Sequence, residues 1–301
     1  MRSLFFLLIV SFPFSLTAQI LRVSADEIKH HLYSSDAYFN KKFADINKLK
    51  TITCKFSIKK ELQPIKETGR SYIYDFDERG QMVKQLETFY KKGHVLDTSI
   101  TYFYYDEKGN ISLKRTNDPQ GFFSYTYEYD SNDRMLYYSY NRDENANKNK
   151  RKFKLKRSFV IFSESYKYEE RDSIIKRTVL NDLGTIYKED FIKFNGFKQI
   201  IEKSHRFIVT GKKGKTNYEY DYYGRLVKKT EFTKAIKKLE TVTIYEYDEF
   251  GNLLSEKTYR NENHIITKEF LYDENMLLKA QLTKDEASGT IFIIKFSYDF
   301  H

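Results

Sequence analysis

The stretch Tyr245-Glu246-Tyr247-Asp248-Glu249-Phe250-Gly251-Asn252-Leu253-Leu254 contains the unit that decides the fold. Aromatic residues alternate with polar ones up to Asp248, Gly251 follows three positions later, and an apolar pair leads away. An alternation of period two is typical of a half-buried strand. Asp can hydrogen-bond to the backbone of its own turn, and Gly accepts the positive φ that a chain reversal requires. The stretch therefore predicts one β-hairpin.

The Tyr/Phe-Asp step of this unit recurs along the chain, at intervals of 24 to 29 residues where the copies stay in phase. The copies are Phe76-Asp77, Tyr105-Asp106, Tyr129-Asp130, Tyr220-Asp221, Tyr247-Asp248, Tyr272-Asp273 and Tyr298-Asp299. A period of this length indicates a repeat architecture, and it can hold two strands and two tight turns. Between residues 141 and 215 the step fades, and we interpret that range as degenerate copies.

The turn position three residues after Asp is occupied by Gly in four copies, as at Gly80 and Gly251. Asp133 takes this position in the third copy, and Asp is a residue that a left-handed turn position tolerates. The Tyr272 copy has Asn275 and no Gly, so we expect a tighter turn there.

The string Tyr-x-Tyr-Asp-x-x-Gly-x-Leu, found at 245–253 and nearly so at 218–226, resembles the YD repeat of bacterial Rhs and wall-associated proteins and of teneurins. The resemblance covers 77–140 and 218–299 well and 158–215 loosely. It implies antiparallel hairpins laid side by side, which in the large members close as a shell around a toxin domain. This chain is too short to enclose another domain. The fold we expect is all-β, with tandem antiparallel β-hairpins forming a long curled open sheet after a short N-terminal helix.

The N-terminal residues 1–18 have a positive charge at Arg2, then an apolar region, and then a small residue, Ala18, at the expected cleavage site. These features predict a cleaved signal peptide, since the apolar stretch is shorter than the roughly 20 residues that span a bilayer. Ser24 and Glu27 have capping-box spacing, so residues 19–50 are expected to be helical or irregular and 51–301 to form the β domain. The protein is expected to be secreted, periplasmic or on the cell surface, without a transmembrane segment after cleavage.

Cys54 is the single cysteine, so no internal disulfide can form despite the predicted export. It lies in a strand-like run and is expected to be a small buried hydrophobic side chain. The repeated Asp residues are explained by turn geometry, and nothing marks two of them as a catalytic pair. We therefore expect no enzyme activity, no cofactor and no metal site.

Two sets of residues are candidates for ligand binding. Alternate tyrosines share one face of their strands and could stack on a sugar ring or a partner, or could simply pack across strands. These are Tyr125, Tyr127, Tyr129, Tyr218 and Tyr220.

The second set lies in residues 141–157, an expected basic hairpin insertion that carries eight Lys or Arg against two acids. Its candidates are Lys150, Arg151, Lys152 and Lys154. An exported basic segment favours an anionic partner such as envelope polysaccharide, or a surface protein, over nucleic acid. A solvated loop without a ligand is the other interpretation.

The sequence thus predicts an exported, non-catalytic structural or interaction protein of the bacterial envelope or surface. A carbohydrate-binding protein that uses a Tyr-rich sheet face is the alternative. An accessory or remnant of a toxin system is a third hypothesis.

Overall fold

The structure, a computed structural model, describes residues 41–90, 96–118, 121–147, 152–234 and 238–301. Within these ranges it contains one helix, α1 (Lys41–Ile46), and 18 strands. The strands are β1 Leu49–Lys59, β2 Lys66–Phe76, β3 Met82–Tyr90, β4 Leu96–Tyr105, β5 Ile111–Asp118, β6 Gly121–Tyr129, β7 Met135–Asn145, β8 Leu155–Arg171, β9 Ile174–Leu180, β10 Ile186–Phe194, β11 Ile200–Phe207, β12 Lys213–Tyr220, β13 Leu226–Lys234, β14 Lys238–Tyr247, β15 Leu253–Arg260, β16 Asn263–Tyr272, β17 Leu278–Asp285 and β18 Ile291–Phe300.

The sheet closes on itself. Consecutive strands pair antiparallel throughout, and β18 also pairs with β1, from Leu49 opposite Phe300 to Lys59 opposite Ile291. The protein is therefore a closed 18-stranded antiparallel β-barrel. The expected open curled sheet is wrong, because the first strand, β1, forms hydrogen bonds with the last strand, β18, and so closes the sheet into a barrel.

The connections that follow even-numbered strands lie at one end of the barrel, which we call the Asp-turn end. Seven of them are five-residue turns that begin with Asp or Asn: 77–81, 106–110, 130–134, 195–199, 221–225, 248–252 and 273–277. In the turn after β14, the amide of Gly251 donates to the carbonyl oxygen of Asp248 at 3.1 Å. The Asp248 carboxylate accepts a hydrogen bond from the amide of Asn252 at 2.7 Å, so the shape that these turns share comes from the Asp side chain bonding to the backbone of its own turn.

The fourth position of these turns is left-handed, as the glycine pattern predicted. Gly80 and Gly251 have φ of 70° and 87°, and Asp133 has φ of 60° in the same place. The prediction of a tighter turn after Tyr272 is wrong, since Met276 takes the left-handed position with φ of 60° and the turn keeps five residues.

A tyrosine hydroxyl links most of the hairpins to the one before it by a hydrogen bond. In the β14–β15 hairpin, Leu253 lies opposite Tyr247 and Ser255 opposite Glu246, so Leu254 is the extra residue of a β-bulge. The Leu253 carbonyl oxygen accepts a hydrogen bond from the hydroxyl of Tyr272 at 2.9 Å. We call this contact the tyrosine clamp. Equivalent clamps join Tyr105 to Met82, Tyr129 to Ile111, Tyr168 to Met135, Tyr220 to Ile200, Tyr247 to Leu226 and Tyr298 to Leu278.

The hydrophobic core lies on the inward face of the barrel, toward the Asp-turn end. Leu49, Ile52, Leu253 and Leu278 are at most 1% exposed there. Helix α1 adds Phe43 and Ala44 to the same core. Cys54 is also fully buried, and burial raises the pKa of its thiol, which agrees with its predicted packing role.

The part of the chain before α1, including the predicted signal peptide 1–18 and the capping box at Ser24, lies outside the described residues. The range 141–215, interpreted as degenerate repeats, contributes strands to the same barrel. Across the described ranges, no helix has the length and apolar character to span a membrane.

Candidate functional site

The inward face of strands β9 to β13 differs from the rest of the inward face. In addition to the tyrosines of β12, these strands present charged residues on this face. Arg177 on β9 lies opposite Asp190 on β10, which lies opposite His205 on β11. The next row places Lys203 on β11 opposite Thr216 on β12. Side chains from successive strands therefore form one polar surface inside the barrel.

A buried ion pair lies at the centre of this surface. Arg177 donates from Nε and Nη2 to Oδ2 of Asp190, at 2.9 and 2.7 Å, and both side chains are 10% exposed. Lys188 Nζ lies 2.9 Å from the other carboxylate oxygen. Burial disfavours the ionised carboxylate, but Arg177 and Lys188 outweigh that cost and hold the pKa of Asp190 below its usual range. The Asp190 carboxylate is therefore ionised at neutral pH and forms ion pairs with both Arg177 and Lys188.

Three further nitrogen-bearing side chains surround this pair. Lys203 places its ammonium 6.0 Å from the centre of the Tyr218 ring, and Lys229 lies 3.1 Å from the Glu231 carboxylate. Burial, followed by the positive charge of Lys188, lowers the pKa of His205. His205 is therefore neutral at pH 7 and can donate or accept a hydrogen bond there.

These side chains line a cavity of about 220 Å³. Its main polar walls are Arg177, Lys188, Asp190, Lys203, His205, Thr216, Lys229 and Glu231. Four cations against two carboxylates leave the cavity with a net charge of +2 when His205 is neutral. Its volume is below the roughly 300–1,000 Å³ of drug-sized sites, so it suits one small molecule.

Gly214 on β12 lets the His205 ring lie against the backbone. A Cβ atom at Gly214 would come within 2.3 Å of Cε1 of His205, which lies opposite it on β11. The cavity shape therefore depends on the absence of a side chain at this position.

The predicted tyrosine set is divided between the core and the cavity. Tyr125 is half-buried and stacks on Tyr138 and Tyr140, with ring centres 6.2 and 5.0 Å apart. Burial, followed by the neighbouring Tyr125 and Glu164 side chains, raises the pKa of Tyr138 to about 12. Tyr127 is buried at 5% exposure, and Tyr129 donates to the Ile111 carbonyl oxygen.

Strand β12 carries the other two tyrosines of this set. Tyr220 donates to the Ile200 carbonyl oxygen at 2.7 Å, so it serves as a clamp. Tyr218 is 7% exposed and forms part of the cavity wall. Of the five predicted tyrosines, Tyr218 is the one that contributes to the cavity.

The two described members of the predicted basic set, Lys152 and Lys154, do not line the cavity. Lys152 and Lys154 are exposed on the connection between β7 and β8, while Lys150 and Arg151 lie outside the described residues. Between the two, Phe153 packs against Phe122 at 5.2 Å, and Phe122 belongs to the outward face of β6.

The charged cavity residues were missed in the sequence. The available signal was a break in the alternation: Arg177 stands between the apolar residues Ile175 and Val179, all three at alternate positions. Among the described residues, no group of three His, Cys, Asp or Glu side chains is placed to hold a metal ion.

Comparisons with known proteins leave the family open. No family model matches the chain, and no curated protein does. The YD-repeat resemblance therefore remains an interpretation of the sequence.

Among solved structures, a porin-like protein from Bacteroides uniformis aligns over 84% of this chain and 97% of its own, with 10% identity and a TM-score of 0.40. A porin-like protein from Bacteroides vulgatus aligns over 81% and 97%, with 10% identity and a TM-score of 0.36. A chain of the Photorhabdus luminescens Tc holotoxin pore aligns over 73% of this chain and 14% of its own, with 12% identity and a TM-score of 0.22. The barrel assignment rests on the strand pairing of this chain and not on these alignments.

Proposed function

We propose that the protein is a non-catalytic barrel of the cell envelope that binds a small anionic molecule inside its lumen. The observation that carries the proposal is the cavity of about 220 Å³ with four cations against two carboxylates. Ion pairing in a partly buried site is screened less than on a surface, so such a cavity favours an anion over a neutral molecule of the same size.

The polarity of the outward face supports a barrel surrounded by water. Outer-membrane barrels present an apolar band to lipid. Here the outward face carries ion pairs between neighbouring strands: Lys84 with Asp75, Lys176 with Glu169, Arg206 with Glu189, Lys215 with Glu202, Lys228 with Glu219 and Lys257 with Glu246. Each pair contributes little stability, but burying such charges in lipid would cost several kcal/mol.

The absence of catalysis is part of the proposal. The buried carboxylate of Asp190 is held by Arg177 and Lys188, so it is poorly suited to act as a general base. The cavity residues instead supply positive charge and hydrogen-bond donors. An acidic sugar, with a carboxylate on a single ring, is a ligand of the right charge and size.

Calorimetric titration of the mature chain with sodium glucuronate and with glucose tests this function. We expect glucuronate to bind and glucose not to bind at the same concentration and low salt. Lys203→Gln should weaken glucuronate binding by roughly 10- to 100-fold, because a charge-assisted hydrogen bond is worth about 1.5–3 kcal/mol.

Lys215→Gln is the matched control, since Lys215 lies on the outward face of β12 and pairs with Glu202 at 2.7 Å. It should bind glucuronate as the wild type does. Equal affinities for glucose and glucuronate would contradict an anion site, and so would equal losses in the two variants.

A further inference from the structure

Strand β8 has a long edge without a partner strand. It runs from Leu155 to Arg171 and pairs with β7 from residue 155 to residue 165. Its pairing with β9 covers only Ser165 to Arg171, because the chain turns back into β10 after Leu180. Within the described part of the chain, residues 155–164 therefore have one neighbouring strand instead of two. We call residues 155–164 the free edge.

The free edge exposes a continuous apolar run. Phe159, Val160, Ile161 and Phe162 are 49%, 62%, 53% and 40% exposed. Consecutive residues of a strand point to opposite faces, so both faces of β8 are open to solvent here. Unpaired backbone groups next to exposed apolar side chains form a template for another strand.

The flanking charges indicate what kind of strand fits. Lys152, Lys154, Lys156 and Arg157 are all exposed beside the apolar run. None of the four pairs with a carboxylate among the residues that the structure describes. A second copy of this chain would bring the same four cations to the junction, and like charges on adjacent strands repel. The whole chain also carries a net charge of +10.

We propose that the free edge binds an extended acidic segment of a partner protein by β-augmentation. The segment adds a strand beside β8, so main-chain hydrogen bonds supply affinity. Ile161 is the extra residue of a β-bulge, since Phe162 lies opposite Tyr140 and Val160 opposite Asn141, so Phe159 and Phe162 share one face. The apolar residues of the segment cover Phe159 and Phe162 on that face and Val160 on the other. Its carboxylates meet Lys156 and Arg157, which sets the preference for an acidic over a basic strand.

Hydrogen exchange with synthetic peptides tests this docking on the mature chain. The probe is an eight-residue capped peptide that alternates Val and Glu, and the comparison peptide alternates Val and Lys. We expect the Val/Glu peptide to slow amide exchange in residues 155–164 and to bind about tenfold more tightly than the Val/Lys peptide. Protection should be confined to this segment.

Ile161→Lys places a charge in the middle of the free edge and should abolish the protection. Tyr222→Lys is the matched control, because Tyr222 is 97% exposed in a turn at the Asp-turn end, at the other end of the barrel. It should leave the protection unchanged, and both variants should retain the wild-type circular dichroism spectrum.

Three outcomes would overturn the proposal. Unchanged exchange of residues 155–164 with the Val/Glu peptide would exclude strand addition. A dimer in sedimentation that Ile161→Lys dissociates would show that a second copy occupies the edge. Tight binding of polygalacturonate without protection by either peptide would show that the basic residues serve a polysaccharide.

Discussion

The tyrosine clamp predicts a measurable loss of stability when a single oxygen atom is removed. The hydroxyl of Tyr247 donates to the Leu226 carbonyl oxygen at 2.7 Å, across the boundary between two hairpins. Leu226 is 3% exposed and begins the bulge in which Val227 is the extra residue. Tyr247→Phe keeps the ring but leaves that carbonyl oxygen without its donor. A buried acceptor left unsatisfied costs about 1–3 kcal/mol.

The assay is urea unfolding, followed by far-ultraviolet circular dichroism because the chain has no tryptophan. Tyr247→Phe should lower the free energy of unfolding by about 1–3 kcal/mol without changing the native spectrum. Tyr222→Phe is the control, since its side chain is 97% exposed and the change should stay within about 0.5 kcal/mol. A Tyr247→Phe variant as stable as the Tyr222→Phe control would refute the clamp as a structural link.

Three further predictions concern the turns, the buried tyrosines and the closure of the barrel. Gly80→Ala should lower the thermal unfolding temperature far more than Gly184→Ala. Both residues have left-handed φ, but a Cβ at Gly80 would lie 2.4 Å from the Asp45 backbone nitrogen of α1, whereas Gly184 has open space. Equal decreases in the two variants would contradict the docking of α1 against this turn. Burial raises the pKa of the clamp tyrosines Tyr247, Tyr272 and Tyr298. Their contribution to the free energy of unfolding is therefore complete below about pH 10 and is lost as the pH rises through the folded-state pKa values. A free energy of unfolding that stays constant above about pH 10 would contradict this. Lys55 and Lys295 face each other across the β1–β18 seam, so paired cysteines at these positions should form a disulfide in the monomer. Free thiols that persist at positions 55 and 295 under oxidation would contradict closure.

The local geometry of the hairpins was predictable from the sequence because each turn is determined within five residues. Asp248, Gly251 and the alternation before them specify strand, turn and strand without reference to the rest of the chain. Asp133 was correctly predicted in the left-handed position. Met276 shows the limit of this reasoning, since the hydrogen bonds of the Asp273 turn impose a left-handed φ on a residue with no preference for it.

Barrel closure could not be predicted from the repeat. The seam joins residues 49–59 to residues 291–300, and no local pattern indicates which distant edges meet. Closure depends on the number of strands and their stagger, which are properties of the whole sheet. The tyrosine hydroxyl is likewise a contact between units, so a single copy of the motif does not indicate its acceptor.

The residues of the cavity could not be predicted from the sequence for a related reason. Its residues extend from Arg177 to Glu231 in the sequence and meet because of strand register. A slip of one residue between two strands would turn one of them outward. The polar residues Arg177, Asp190 and His205 therefore had no recognisable spacing until the pairing of β9, β10 and β11 placed them in one row.

Anomalous diffraction from crystals of residues 19–301 soaked in sodium selenate tests the anion site most directly. We predict a selenium peak inside the cavity, within hydrogen-bond distance of the Lys203 ammonium, and its loss in Lys203→Gln crystals. A cavity without a peak, with selenate found only on outward-facing lysines such as Lys215, would contradict the account.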